Sequence, residues 1–256
     1  MHYPQLSPPL LGKIPYEMLK HLPEEAKLYL LKIINKIWET GIMPKSWKIA
    51  IIVPVKKPNK DASLATSYRP IALTSCVCKL MEKMINTRLV WHLERKGLIS
   101  PFQFGFRKNR CTLDPLLRLS NQIQHGFAKK CQTIGVFFDL EKAYDTTWRM
   151  GILKQLVKMG IQGNMLKFIQ SFLSNRFIKV RVGRSVSKPY LLEEGIPQGS
   201  VLSVTCFAVA INSIIDAVSP PVKCSLFVDD FAVYCTSYDA SSACGYLQKA
   251  IDAIGK

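Results

Sequence analysis

Two adjacent aspartates interrupt an otherwise apolar stretch late in the chain, and they constrain the fold more than any other feature of the sequence. The stretch runs from Leu226 to Tyr234, with Asp229 and Asp230 at its centre. Both flanks are rich in residues that favour strands, which predicts a β-hairpin with the aspartates at its tip. Neighbouring carboxylates repel each other, and apolar neighbours remove the water that would screen them. The pair therefore indicates either a bound cation or an exposed turn in which Asp only favours the bend.

A third carboxylate stands in a comparable place. The run from Thr133 to Phe138 is short and continuously apolar, which predicts a strand buried on both faces, and Asp139 follows it directly. Two strands of one sheet can bring their ends together, so Asp139 could join Asp229 and Asp230 in one site. Such a set of oxygen ligands suits Mg²⁺ and the transfer of phosphoryl groups by two metal ions.

The composition indicates a globular protein with a polyanionic partner. The chain has 256 residues, 48% of them hydrophobic, and 35 Lys and Arg against 18 Asp and Glu give a net charge of +17. Such an excess fits nucleic acid or an anionic membrane surface. No stretch has the roughly 20 apolar residues of a membrane span, and Met1 to Lys20 lacks the pattern of a signal peptide. We therefore expect nucleic acid as the partner, no membrane, and a location in the nucleus or cytoplasm.

The eight cysteines show no paired CxxC spacing, so reduced thiols without zinc are expected. Hydrophobic periodicity predicts helices and strands in alternation, that is, an α/β (α+β) chain. The predicted helices are 24–40, about 20 residues including 77–93, 113–127, 148–159, 163–174, 201–218 and 241–254. The predicted strands are 47–55, 133–138, 177–182, 185–192 and the two sides of the acidic tip. The first 23 residues contain five prolines, which predicts an extended arm.

Aromatic and cationic side chains interleave between Phe102 and Arg110. Cations meet phosphates and aromatic faces stack on bases, so this segment is a candidate nucleic-acid surface. The candidate contacts are Phe104, Arg107, Lys108 and Arg110. The alternative is an aromatic core turn with solvated charges, because core aromatics look the same in sequence.

Five motifs, in order along the chain, resemble those of reverse transcriptases. Three resemble palm motifs, and two resemble fingers blocks of non-LTR retrotransposons of the jockey and LINE kind. The palm-like segments are FFDLEKAYD (137–145), GIPQGSVLS (195–203) and FVDD (227–230), and the fingers-like segments are SYRPIAL (67–73) and QFGFR (103–107). The resemblance runs from about Lys13 to the C-terminus. It implies a right-hand polymerase fold, with fingers and a palm whose mainly antiparallel sheet is flanked by helices.

The resemblance also implies a division of the chain. The expected parts are an extended arm (1–23), fingers (24–130), the first palm strand (131–147), helices with a fingers-side hairpin (148–192) and the remaining palm (193–256). It implies that a thumb is absent from this chain and that no endonuclease-like region precedes the fingers, so we expect a fragment of a longer retroelement polyprotein.

The resemblance assigns the acidic residues to catalysis. Asp139 and Asp229 would bridge two catalytic Mg²⁺ ions, with Mn²⁺ as an alternative, and Asp230 would complete the cluster. Asp145, at an expected turn from strand to helix, is predicted to cap a helix and not to bind metal.

The resemblance also assigns a nucleotide pocket. Tyr144 corresponds to an aromatic gate that excludes a ribose 2′-OH, the alternative being a ring that packs beneath the strand. Gln198 would line the pocket, and Gly199 would allow close backbone approach. Arg69 and Lys79 would contact the triphosphate, although a solvated basic face also explains these two residues.

The resemblance thus implies an RNA-directed DNA polymerase that adds dNTPs to a DNA primer on an RNA template. Two alternatives remain open. One is an RNA-dependent RNA polymerase, which shares the palm, and the other is a catalytically incomplete, basic nucleic-acid-binding fragment of a retroelement.

Overall fold

The computed structural model describes residues 14–255. The α-helices are α1 (Tyr16–Lys20), α2 (Glu24–Thr40), α3 (Cys76–Arg95), α4 (Leu113–Ala128), α5 (Arg149–Lys158), α6 (Gly163–Leu173), α7 (Val201–Ile211) and α8 (Ala240–Ile254). The strands are β1 (Ile49–Lys56), β2 (Tyr68–Leu73), β3 (Gln132–Phe138), β4 (Arg176–Val182), β5 (Ser185–Val186), β6 (Tyr190–Leu192), β7 (Lys223–Phe227) and β8 (Asp230–Ser237). Short 3₁₀ helices occupy Lys45–Lys48, Ala65–Ser67 and Asn212–Ala217. The predicted mixed α/β class is confirmed.

The described chain divides into two compact units. The first comprises residues up to Trp91 together with Tyr144–Ser203, and the second comprises His92–Ala143 together with residues from Val204 onward. The segment expected to form the fingers, 24–130, is thus divided between the two units. The predicted metal ligands belong to the second unit, and the predicted nucleotide contacts belong to the first.

A five-stranded sheet organises the first unit. Its central strand β1 is rich in Ile and Val, pairs antiparallel with β2, where Ile52 lies opposite Ala72, and runs parallel to β4. Strands β5 and β6 pair with β4, and the chain turns between β4 and β5 at Gly183, whose φ of +58° favours glycine. Helices α5 and α6 supply fully buried core side chains to this unit. They are Ile152, Leu156, Phe168, Ile169 and Phe172.

A three-stranded antiparallel sheet in the order β3-β8-β7 organises the second unit. Side chains alternate across a strand, so every second residue of β8 faces α8. The resulting core includes Phe231, Val233 and Cys235 from β8 and Ala243 and Leu247 from α8. Asp239 immediately precedes α8, and its carboxylate accepts the backbone N–H groups of Ser241 and Ser242, as expected of an N-cap.

The prediction that the strand at 133–138 is buried on both faces is wrong. Ile134, Val136 and Phe138 pack on the core that includes α8, but Phe137 on the other face is 69% exposed. Helix α4 lies close to that face at its C-terminal end, where a Cβ added at Gly126 would lie 3.0 Å from Thr133 Oγ1 and Gln122 Nε2 donates to Thr236 Oγ1 at 2.8 Å. A cavity of about 340 Å³ separates the first turns of α4 from the Phe137 end of the sheet.

Three further predictions need correction. The first 13 residues of the expected extended arm lie outside the described residues, and Tyr16–Lys20 is a helix. Trp47 and Lys48 belong to a 3₁₀ helix that precedes β1. The helix expected over 201–218 ends at Ile211 and continues as a 3₁₀ helix. At that change the Asn212 side chain accepts the N–H of Ser100 at 2.8 Å and donates to the carbonyl of Leu98 at 3.1 Å.

All eight cysteines are free thiols, in agreement with the sequence. Within residues 14–255, none of the helices combines the length and the apolarity needed to cross a membrane.

Candidate active site

The acidic pair lies at the tip of a tight hairpin in the second unit. Phe227 of β7 pairs with Asp230 of β8, so Val228 and Asp229 alone form the turn. Val228 has φ +61°, which matches the positive φ that two-residue hairpins require but is unfavourable for a β-branched residue. The predicted hairpin is therefore confirmed, with Asp229 in the turn and Asp230 as the first residue of the returning strand.

Asp139 is brought to the same end of this sheet. Strand β3 is antiparallel to β8, and the last pair in their register is Phe138 with Phe231, whose rings stack 5.8 Å apart. One residue further along, Asp139 follows the end of β3, and Asp230 stands one residue before Phe231 at the start of β8, so the two aspartates lie at the same end of the sheet. Side-chain alternation also gives Asp139 and Asp230 the same face of the sheet.

The donor chemistry at this end of the sheet fits Mg²⁺, because all three predicted ligands are carboxylates. Asp139 and Asp230 are exposed and Asp229 is half-buried, so their oxygens are accessible to ions and phosphates. Among the described residues, no three His, Cys, Asp or Glu side chains are gathered closely enough to hold an ion. The backbone therefore brings the three predicted ligands to one end of the sheet without arranging their side chains around a common point.

The segment that precedes α4 pairs with the hairpin. The N–H of Phe104 donates to the carbonyl of Leu226 at 2.8 Å, and the N–H of Leu226 donates to the carbonyl of Phe102 at 2.9 Å. Gln103 between them forms a parallel bridge with Leu226. The segment thus adds a short backbone ladder along the strand that leads to Asp229.

Gln103 holds the hairpin turn through its side chain, a role that the sequence analysis did not identify. The fully buried carboxamide oxygen accepts the N–H of Val228 at 3.2 Å and the N–H of Gly105 at 3.0 Å. Gly105 lies directly against the turn, and a Cβ there would come within 2.6 Å of the Val228 nitrogen. The signal available in the sequence is a Gln between two Phe residues and two positions before Gly105, but this pattern does not identify Val228 as its partner.

The structure does not favour Phe104 for the predicted stacking on bases. Its ring is only 3% exposed, and the guanidinium groups of Arg110 and Arg118 lie 5.1 and 5.8 Å from its centre. Phe106 is instead the accessible aromatic residue of the segment, at 65% exposure. Lys108, one of the predicted contacts, is also exposed, so the nucleic-acid surface stays a prediction in which Phe106 replaces Phe104 as the accessible aromatic residue.

Arg107 is largely committed to contacts within the protein. Its guanidinium forms a bidentate ion pair with Glu94, with Nε to Oε1 at 2.7 Å, and donates to the carbonyls of Ser100 and Gln103. The hydrogen bonds from Arg107 hold the pKa of the Glu94 carboxyl below its usual range, more strongly than burial raises it. Arg107 therefore fixes the loop that carries Gln103.

In the first unit, the predicted nucleotide residues meet around a glycine-rich loop. The carbonyl of Tyr144 accepts the N–H of Ile196 at 2.8 Å, and Gln198 Nε2 donates to Asp145 Oδ1 at 3.3 Å. Gly199 has φ +104°. The structure thus brings Tyr144 and Gln198 to the same loop, with Gly199 as the loop residue that follows.

Asp145 does not cap a helix, contrary to the prediction. Residues 141–146 form turns, and α5 begins only after Trp148. The Asp145 carboxylate is instead the partner of Gln198. The turn before α5 is hydrogen-bonded to the glycine-rich loop instead of continuing as a helix. At the start of α5, the Arg149 side chain also donates to the carbonyl of Gly195 in that loop, at 2.7 Å.

The loop is also fixed to strand β2 and leads into helix α7. The N–H of Ala72 donates to the carbonyl of Gln198 at 3.2 Å, and a Cβ at Gly199 would lie 2.7 Å from the Ala72 carbonyl oxygen. Only glycine tolerates both this contact and the positive φ. Arg69 is exposed on the same strand, three positions before Ala72, and Lys79 is half-buried on α3.

A buried carboxylate stands at the start of α7. Glu82 of α3 is fully buried. Its carboxylate accepts the Ser200 hydroxyl, the Val201 N–H at 2.8 Å and the Cys78 thiol at 3.1 Å. Its partners in α7 lie far away in sequence, so helical periodicity could not reveal their contact with Glu82.

The chain is similar to known proteins both in sequence and in fold. Residues 55–256 match the family described as "Reverse transcriptase (RNA-dependent DNA polymerase)". The chain is 36% identical over 191 residues to "Probable RNA-directed DNA polymerase from transposon BS" of Drosophila melanogaster, covering 75% of this chain and 21% of that protein. It is 30% identical over 241 residues to "RNA-directed DNA polymerase from mobile element jockey" of the same species, covering 92% and 26%.

Among solved structures, the fold is similar to that of apo telomerase from Candida tropicalis truncated from the C-terminal domain, with a TM-score of 0.58 and 10% sequence identity. That match covers 90% of this chain and 52% of the telomerase chain. At this identity the likeness concerns the fold alone.

The chain belongs to the reverse transcriptase family, and its relatives are the RNA-directed DNA polymerases of non-LTR retrotransposons. The family predicted from the five motifs is therefore confirmed. The chain spans about a fifth to a quarter of the length of the two curated relatives described above.

Proposed function

We propose that this domain adds deoxynucleotides to the 3′-OH of a DNA primer under the direction of an RNA template. The observation that supports the proposal is the pairing of β3 and β8 as far as Phe138 and Phe231, because Asp139 follows β3 directly and Asp229 and Asp230 belong to the hairpin at the same end of the sheet. The family supports the reaction class, and the three carboxylates at one end of the sheet support the proposed oxygen ligands.

Asp139, Asp229 and Asp230 would hold two Mg²⁺ ions, or Mn²⁺ as an alternative. When bound, such ions lower the pKa of an attacking hydroxyl and stabilise the leaving phosphate oxygen. The protein contributes the position of the carboxylates. Asp139 directly follows β3, Asp230 begins β8, and Asp229 follows Val228, whose N–H donates to Gln103.

Selection of the nucleotide falls to the loop in the first unit. Tyr144 would exclude a ribose 2′-OH with its ring. The hydrogen bond between its carbonyl and the N–H of Ile196 attaches its backbone to the loop. Gln198 would contact the incoming nucleotide, and its carboxamide is oriented by Asp145. Gly199 leaves space for close backbone approach. Arg69 and Lys79 would supply positive charge for the triphosphate.

The template and primer would be held mainly through their phosphates. The net charge of +17 favours such binding, which weakens as salt rises because counterions are released on association. Lys108 and Arg110 are the candidate contacts in the second unit. RNA, primer and dNTPs are found inside cells, so we expect the domain to act in the nucleus or cytoplasm.

A primer-extension assay tests the proposal directly. One RNA template with a DNA primer is supplied with Mg²⁺ and either dNTPs or rNTPs. We expect extension with dNTPs, its abolition in Asp229→Ala, and near-normal extension in Asp252→Ala, which removes an exposed carboxylate from α8 of the same unit. Exclusive use of rNTPs would instead identify an RNA-dependent RNA polymerase.

The second candidate function is a basic nucleic-acid-binding module without catalysis, and the observation that favours it is the excess of cations. It predicts salt-sensitive RNA binding by the wild type with no extension under any metal condition. Polymerase function predicts that Asp229→Ala retains RNA binding while losing extension, because phosphate contacts dominate affinity.

A further inference from the structure

We propose that Glu82 is a positioning residue for the nucleotide-binding loop. It would hold the start of α7 and thereby fix Gln198 and Gly199. The inference rests on the proposed function for its link to nucleotide, and on the first unit alone for its geometry.

The carboxylate of Glu82 collects donors from the beginning of α7. Its Oε2 atom accepts the Ser200 hydroxyl, the N–H of Val201 at 2.8 Å and the N–H of Leu202 at 3.5 Å. The first N–H groups of a helix have no partner within the helix. Glu82 supplies that partner from another helix, and its negative charge is favourable at the positive end of the α7 dipole.

The contact fixes more than the helix end. Ser200 directly follows Gly199, and its N–H donates to the carbonyl of Pro197 at 3.2 Å, which closes the turn. Gln198 is fixed at its carbonyl by the N–H of Ala72. The turn is thus attached to β2 on one side and to α3 through Glu82 on the other.

Neighbouring groups stabilise the negative charge of Glu82. The fully buried carboxylate accepts the Cys78 thiol on its other oxygen, and Arg176 is buried nearby at 1% exposure. Burial lowers the pKa of the Arg176 guanidinium, and the negative charge of Glu82 opposes that change. Glu82 is thus a buried carboxylate near a buried guanidinium, one turn after Lys79 on α3. Packing alone would not require a charged side chain at this position.

Hydrogen–deuterium exchange tests the anchoring step without any need for catalysis. In the 256-residue chain, Ser200→Ala should speed exchange of the Val201 amide and of the turn by roughly tenfold, since one hydrogen bond is lost. Ser203→Ala is the matched control, because Ser203 is buried in the same first turn of α7 but its hydroxyl has no partner among the described residues. Equal exchange in the two variants would overturn the proposal.

Kinetics test the link to nucleotide. Glu82→Gln keeps the shape and an accepting oxygen but loses the charge, whereas Glu82→Ala loses both. We expect the KM for dNTP to rise by roughly tenfold or more in Glu82→Ala with a smaller change in kcat, and to be partly restored in Glu82→Gln. Ser200→Ala, which keeps Glu82, should raise KM in the same direction if Glu82→Ala fails to fold.

The outcomes separate this inference from the proposed function. If the wild type extends and the variants exchange faster in the turn without a change in KM, Glu82 is only a helix cap and the positioning role is overturned. If the wild type incorporates no nucleotide, the proposed function is wrong, and the predicted effect of Glu82 on the KM for dNTP is wrong as well. The exchange experiment then still decides whether Glu82 anchors the turn.

Discussion

The side-chain oxygen of Gln103 accepts the backbone N–H of Val228 at 3.2 Å, and Val228 is the residue immediately before Asp229. Val228 has φ +61°, a conformation that costs a β-branched residue free energy. The hydrogen bond, the buried Val228 side chain and the close approach of Gly105 together stabilise this turn. A predicted catalytic carboxylate is therefore held by a strained turn that the QFGFR segment supports.

Gln103→Ala should loosen the hairpin. The substitution leaves the N–H groups of Val228 and Gly105 buried without their acceptor, which should lower the free energy of unfolding by about 1–3 kcal/mol. Chemical denaturation measures the loss, and exchange of the Val228 amide locates it. Gln132→Ala, at an exposed position of β3 in the same unit, is the control and should change stability little. Equal midpoints for the two variants would show that the contact contributes nothing.

Gly105→Ala should destabilise the second unit by about 1–3 kcal/mol, as overpacking usually does. The new Cβ would come within 2.6 Å of the Val228 nitrogen, a backbone atom that cannot move without shifting the turn. Gly245→Ala in α8 is the matched control, because a Cβ there meets nothing within 4 Å. We expect it to stabilise the protein by about 0.5–1 kcal/mol, as alanine is favoured over glycine in helices. Thermal unfolding of both variants checks the opposite signs.

Local patterns predicted the elements of this fold well, because they depend on neighbours in the chain. The acidic hairpin, α4 and the strand before Asp139 lie where periodicity placed them. Contacts between distant segments were not predictable in the same way. Gln103 and Val228 meet across 125 positions and Glu82 and Ser200 across 118, and no pattern within α3 distinguishes Glu82 from an exposed polar residue.

The burial of side chains was the property that was predicted least well from the sequence. The apolar run that ends at Phe138 suggested cover on both faces, but cover depends on how closely α4 lies over the sheet. Phe104 and Phe106 are neighbours of identical chemistry, yet one is buried and the other is 65% exposed. Their exposure follows from the ladder that Phe104 forms with Leu226 and from the positive φ of Phe106.

The ion pair between Glu94 and Arg107 should make stability depend on pH in the acid range. The hydrogen bonds from Arg107 lower the pKa of Glu94 in the folded state. The pair therefore contributes fully above the unfolded-state pKa of about 4.3, and its contribution is lost as the pH falls through the lower folded-state pKa. Since the Glu94 side chain is 37% exposed, we expect no more than about 1 kcal/mol.

Glu94→Gln provides the measurement. The variant should be less stable than the wild type at pH 7, and the difference should shrink as the pH is lowered below about 4.3. Glu25→Gln, at an exposed position of α2, is the control and should follow the wild type at each pH. A difference that stays constant from neutral to strongly acid pH would contradict the assigned ion pair.

Divalent ions should stabilise the second unit. The carboxylates of Asp139 and Asp230 lie at the same end of the sheet and repel each other in the folded state. A cation bound between them removes this repulsion and so favours the folded state. At 100 times its dissociation constant, bound Mg²⁺ should add about 2.7 kcal/mol to the free energy of unfolding. Thermal unfolding with Mg²⁺ and with a chelator measures the shift. Asp229→Asn should reduce the shift, whereas Asp252→Asn should retain it.

The choice between dNTPs and rNTPs should depend on the ring of Tyr144. Replacing the ring by a smaller side chain, as in Tyr144→Val, removes the group proposed to collide with a ribose 2′-OH. We expect the ratio of kcat/KM for dNTP to that for rNTP to fall by at least about tenfold, mainly through better use of rNTP. Single-nucleotide incorporation on one template with each substrate measures the ratio.

Tyr144→Phe separates the gate from the alternative in which the ring only packs. The variant keeps the ring and the backbone contact with Ile196 and loses only the hydroxyl, so discrimination against rNTP should be retained. Under the packing alternative, Tyr144→Val would lower the incorporation of dNTP and rNTP by similar factors, because general disorder of the loop does not depend on the sugar. Selective gain of rNTP use in Tyr144→Val, with Tyr144→Phe unchanged, is the pattern that only a gate produces.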